Sequence, residues 1–215
     1  MKSILCSLLG AIALTGTLQA GNVLVTNFEE TSGRQMPISV GNGVGVSIGG
    51  VIQIGSFASG DPSALIAGLT SPAGLAALLA DFINFGASNT IGSDFSGLYA
   101  SDKSSPLLAG NPLVGKPIYT LIGNSHTLAG STDLGIVRHP DAFAADAPVF
   151  SALADLSDPA VVVLRGWRGP GFVTALGPST ESLNISFPEP SVALLLAASL
   201  AAVAGRRKRD QSIRA

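Results

Sequence analysis

The sequence predicts an α+β domain: a mostly antiparallel β-sheet with one amphipathic helix, at about residues 72–85, packed on it. An N-terminal signal peptide and a single C-terminal hydrophobic helix flank that domain. Three observations carry the prediction. Short apolar runs of period-two spacing, bounded by Gly, Pro, Asn or Asp, recur along the body of the chain. One stretch has clear helical spacing, and both ends hold uncharged apolar runs edged by cations.

Taken in order, the first twenty residues fit an export signal. Lys2 supplies the positive start, residues 4–18 are uncharged and mostly apolar, and Ala20 puts a small residue at the cleavage point, with Gly21 as the new N-terminus. Gly10 and Gly16 would weaken a core helix there. Cys6 leaves with this segment, so the mature protein has neither disulfides nor cysteine-based metal or redox chemistry. The chain therefore divides into a signal peptide (1–20), an exported globular domain (21–186) and a C-terminal segment (187–215).

The body opens with a strand over residues 23–28. Along residues 44–57 the apolar side chains of Val44, Val46, Ile48, Ile52 and Ile54 share one parity and hence one face of a sheet, with a bulge or hairpin turn at Gly49 and Gly50. Ser71 is placed to cap the helix and Pro72 to occupy its first position. Leu75, Leu78, Leu79, Phe82 and Phe85 follow on one helical face, and Gly86 is positioned for a left-handed stop. Residues 62–69 form a weaker helical piece. Further strands are expected over residues 118–122, 134–138, 161–164 and 183–187, while residues 148–156 fit either helix or strand. No repeat of solenoid or propeller period is present.

Charge narrows the partners. The body holds six basic and twelve acidic residues, a net charge of −6, with no cationic patch. Nucleic acid is excluded on that ground, because phosphate binding requires clustered Lys and Arg. No cofactor and no metal are expected. His126 and His139 without cysteine make no zinc pattern, and Asp141, Asp146, Asp155 and Asp158 lack the alternation of a calcium loop. Turn capping is their expected role.

Two enzyme-like motifs fail on context. Residues 45–49 (Gly-Val-Ser-Ile-Gly) match a nucleophile elbow centred on Ser47, with His126 and His139 following in order. The elbow needs a helix after the serine, whereas β alternation continues to Phe57. Residues 110–116 match a phosphate loop until Pro117 stands where the magnesium-binding Ser or Thr belongs. A turn feeding a strand, with Lys116 on the surface, accounts for that segment better.

Arg165, Trp167 and Arg168 make the most unusual loop. The only tryptophan lies between two arginines on a Gly/Pro-rich turn. It either stacks on a sugar ring while arginine reaches the hydroxyls, or closes one end of the sheet with both arginines solvated or paired to Asp. The second arrangement is the expected one. Asn184-Ile185-Ser186 matches a glycosylation acceptor and is discounted in view of the C-terminal segment.

At the C-terminus, Pro188, Glu189, Pro190 and Ser191 form an extended break. Residues 192–204 are apolar around the whole circumference except Ser199, with Val192, Leu194, Leu195, Leu196, Leu200 and Val203 as the bulk of the run. Arg206, Arg207, Lys208 and Arg209 follow as a basic stop. Thirteen helical residues span about 20 Å against a hydrocarbon core of about 30 Å, so the segment is short for a lasting anchor. The cations fix an N-out, C-in orientation.

These three parts in this order resemble the bacterial PEP-CTERM sorting domain, over about 25 residues. The tail after Arg209 is slightly longer than the usual basic end. The resemblance implies an exosortase, a membrane-embedded processing enzyme, as partner beside the export machinery, and a diderm bacterium that makes an exopolysaccharide or biofilm matrix. It implies that the motif residues are substrate, not catalyst. The functional expectation is a non-enzymatic cell-envelope or extracellular-matrix protein, held in the inner membrane transiently and then delivered to the surface or matrix. The alternatives are a polysaccharide-binding module acting through Trp167 and, less favoured, a secreted serine hydrolase using Ser47.

Overall fold

β-Branched and aromatic side chains crowd residues 51–57 and 117–123, and these segments become the two central strands of the largest sheet. A computed structural model describes residues 21–29, 33–41, 44–92, 97–105, 107, 110–145 and 151–186. The described chain runs β1 (Gly21–Thr26), β2 (Phe28–Glu29), β3 (Arg34–Gln35), β4 (Ile38–Val40), β5 (Val44–Gly45), β6 (Val51–Phe57), α1 (Ser63–Ala67) and α2 (Pro72–Asp81). It continues as β7 (Phe82–Asn84), β8 (Asn89–Thr90), β9 (Ala100–Ser105), β10 (Pro117–Gly123), β11 (Leu134–Ala142) and β12 (Ser151–Asp155). Last come β13 (Val162–Arg165), β14 (Trp167–Pro170), β15 (Val173–Thr174), β16 (Gly177–Pro178) and β17 (Glu181–Asn184). The body is thus mostly β-sheet, with two helices among the described residues.

Strand order in the main sheet is β13-β11-β10-β6-β7, with β8 also on β6, and every pairing in it is antiparallel. A four-stranded sheet runs β14-β17-β4-β5 and a three-stranded one β12-β1-β9. Each of these two sheets contains one parallel pairing, β17 with β4 and β12 with β1.

Side-chain alternation on the main sheet sorts the core into two layers. Tyr119, Leu121, Leu134, Ile136, Val51 and Phe57 face Leu78 of α2, with Leu65, Leu75 and Leu79 packed at the margin. Ile118, Ile122, Val137, Ile52 and Ile54 face the opposite way, toward Val23 and Val25 of β1 and Ile38 and Leu183 of the four-stranded sheet. Because β6 is covered on both faces, both of its parities are apolar. Buried Asn27 ties the second layer together: its amide donates to the Met36 and Gly97 carbonyls and its Oδ1 accepts from Tyr99 N–H.

The helix begins as the sequence predicts. Ser71 is extended, its Oγ accepts from Gly74 N–H at 3.2 Å, and Pro72 occupies the first turn. It ends four residues earlier than predicted. Phe82–Asn84 leaves the helix as β7 and pairs with β6, and Phe85 N–H donates to Ile54 C=O at 2.7 Å. A free edge on β6 outweighed the helical spacing there. As a result Phe82 packs in the helix-side layer and Phe85 in the other. The single parity expected for residues 44–54 also fails: Val44 and Ile48 are exposed, whereas Val46, Ile52 and Ile54 are buried. Gly49, at φ +97°, turns the chain from β5 in one sheet to β6 in another, so this segment is a crossover and not one strand or a hairpin.

Candidate functional site

The expected signal peptide (1–20), the Pro188–Ser191 motif, the apolar run 192–204 and the basic residues 206–209 all lie outside the described residues. Among the described residues no helix is long and apolar enough to cross a membrane. What the structure does define is the point where the body hands over to the C-terminal segment.

That point is built by β17, which lies between β14 and β4. Beyond it Ile185 is fully buried and donates its N–H to Ser39 C=O at 2.9 Å. Asn184 Oδ1 accepts from Ser186 N–H at 3.0 Å and from Ser186 Oγ at 2.7 Å, while Gly41 N–H donates to Ser186 Oγ at 2.8 Å. The Asn-Ile-Ser triplet is therefore a side-chain-stapled turn. No local pattern in the sequence signals that role, because the staple needs Gly41 from a distant part of the chain. At the other end, β1 starts at Gly21 and pairs with β9 and β12 on its two sides.

Arg165, Trp167 and Arg168 sit beside this handover, and the structure separates them. Gly166, at φ +100°, turns the chain from β13 in the main sheet to β14 in the four-stranded sheet; a Cβ there would lie 2.7 Å from Asn184 C=O. Successive side chains on a strand point to opposite faces. Trp167 shares its face with Gly169, where a Cβ would fall 2.7 Å from the indole, and the indole remains 41% exposed. Arg168 points the other way, with Nη1 3.2 Å from Glu181 Oε2 and Nη2 donating to the carbonyls of Val161 and Asp158. Its ion-pair partner is thus a Glu where Asp was expected. Partial burial lowers the pKa of Arg165. Arg168 lines a cleft of about 360 Å³ with Gln35, Met36, Ser157 and Glu181, on the face away from Trp167.

Ser47 is exposed on the crossover between β5 and β6, and strand β6 follows where an elbow needs a helix. His126 packs its imidazole over Gly49, where a Cβ would lie 2.4 Å from Cε1, yet among the described residues no hydrogen bond joins Ser47 to either histidine. His139 is buried on β11. Its Nε2 lies 2.7 Å from Thr120 Oγ1, its Nδ1 has no partner, and burial pushes its pKa down to about 4. Lys116 is half-buried and not a free surface residue: its Nζ donates to Phe57 and Ala58 carbonyls at 2.9 and 2.8 Å.

Of these four aspartates, Asp155 ends β12, is buried and caps Ser157, Asp158 accepts from Ala160 N–H, Asp141 is exposed on β11, and Asp146 lies outside the described residues. No group of three His, Cys, Asp or Glu able to hold a metal occurs among the described residues. Compared with known proteins, the chain matches no family model, no curated protein and no solved structure.

Proposed function

We propose that this chain is an exported envelope or extracellular-matrix protein sorted by its C-terminal signal. An exosortase-type enzyme acts near Pro188-Glu189-Pro190, after the export machinery has carried the body outward and residues 192–204 have held it in the inner membrane of a diderm bacterium. The body, residues 21–186, serves there as a non-enzymatic component. The observation that carries this reading is the order of the three parts, an extended Pro-Glu-Pro break, a short uncharged apolar run and four successive cations. The position of the motif supports it as well: Pro188 follows the stapled Ser186 by two residues, so in sequence the motif comes after the last described strand. The polysaccharide-binding alternative, acting through Trp167 with nearby Arg and Asp residues, has less support, because Arg168 occupies the opposite face of β14 from Trp167.

Replacing Pro188 and Glu189 by alanine tests the reading. The unprocessed precursor is expected to accumulate in the inner-membrane fraction, seen by fractionation and immunoblot. Processing at the wild-type rate would remove the sorting claim.

A further inference from the structure

We infer that the end of the four-stranded sheet bearing Trp167 is a membrane-contacting surface that rests on the phospholipid headgroup layer while the chain is anchored. The inference rests on reading residues 192–204 as a membrane segment. Only five residues lie between Ser186 and Val192, which are six chain steps apart. Fully extended, those six steps reach about 20 Å, so the bilayer begins within that distance of the handover. The end of the body from which the chain leaves must therefore face the lipid.

That end carries side chains suited to such contact. Trp167 is the direct cross-strand neighbour of Asn184, the last residue of β17. Across the same strand lie β4 and then β5, where Val44 pairs with Val40 and is 62% exposed. An exposed indole and an exposed valine thus stand at the two margins of the same sheet end, on opposite faces of it. Asn184 and Ser39, which lie between Trp167 and Gly45 in one cross-strand row, are buried and carry no charge. Tryptophan favours the membrane–water interface because its ring is apolar at one edge and donates a hydrogen bond at the other. The cations nearby do not oppose this placement: Arg168 points away, held by Glu181 and two carbonyls. The helices lie on the far side of the main sheet, away from the four-stranded sheet.

Trp167 is the only tryptophan in the sequence, so its emission reports the contact. The full-length chain is reconstituted into phosphatidylcholine vesicles, with or without brominated acyl chains, and flotation separates bound from free protein. Floated protein is expected to show blue-shifted emission that the brominated lipid quenches. In the W167F/A76W variant, with the probe on exposed Ala76 of α2, the brominated lipid should have no effect. Floated wild-type protein without quenching overturns the inference and leaves the membrane segment standing. Equal quenching at both positions also overturns it, since it shows unspecific adsorption. Protein that does not float removes the membrane segment and the inference with it.

Discussion

At neutral pH the His139 imidazole is uncharged, because burial against the Thr120 strand costs the cation its hydration; nearby Asp158 only partly offsets this. The folded-state pKa of about 4 lies below the ordinary 6.5, so the folded protein binds the proton less readily than the unfolded chain does. The resulting stability is fully present above pH 6.5 and is lost as pH falls toward 4. A shift of that size corresponds to about 3 kcal/mol. Urea titrations at pH 7 and pH 4 should show His139→Gln losing less stability on acidification than wild type, by up to that amount. Equal losses would mean that the imidazole is not held neutral. Nothing in the sequence marked His139 as buried: its neighbours Arg138 and Pro140 are exposed, and only the alternation of β11 puts it inward.

Elements were legible where local chemistry and the tertiary environment agree. The Ser71-Pro72 start of α2 and the apolar centres of β10 and β11 belong to that class, since caps and period-two spacing are local properties. The helix end was not legible. Leu75 to Phe85 keeps its helical spacing on paper, but the hydrogen-bonding edge of β6 captures Phe82–Asn84. That capture depends on Gly55, where a Cβ would lie 2.0 Å from the Ile83 carbonyl oxygen. Gly55→Ala should therefore push β7 away and destabilise the body by about 1–3 kcal/mol, read from the denaturation midpoint. An unchanged midpoint would show that β7 contributes little. Strand β9, with the sequence Ala-Ser-Asp-Lys-Ser-Ser, was missed for the opposite reason: it has no apolar alternation and owes its conformation to backbone pairing with β1.

For the whole molecule, mostly antiparallel sheet with helices on one side follows from the sequence, and the division into three larger sheets does not. Long-range parallel pairings such as β1 with β12 join residues far apart in sequence, and no local pattern encodes them. The candidate site divides in the same way. The Pro-Glu-Pro break, apolar run and basic stop are contiguous, so they can be read directly; the staple of Gly41, Asn184 and Ser186 is assembled across strands and has no local signature. Both proposed cuts abut strands with partners on two sides, β1 at Gly21 and β17 before Ser186. Removing the end segments therefore leaves every described strand intact. The most direct measurement is the intact mass of the protein recovered from the cell surface or matrix. The expected mass is that of a chain starting at Gly21 and lacking Arg206 to Arg209, together with any group attached at the new C-terminus. A mass that retains the basic tail, or the first twenty residues, would contradict the sorting reading.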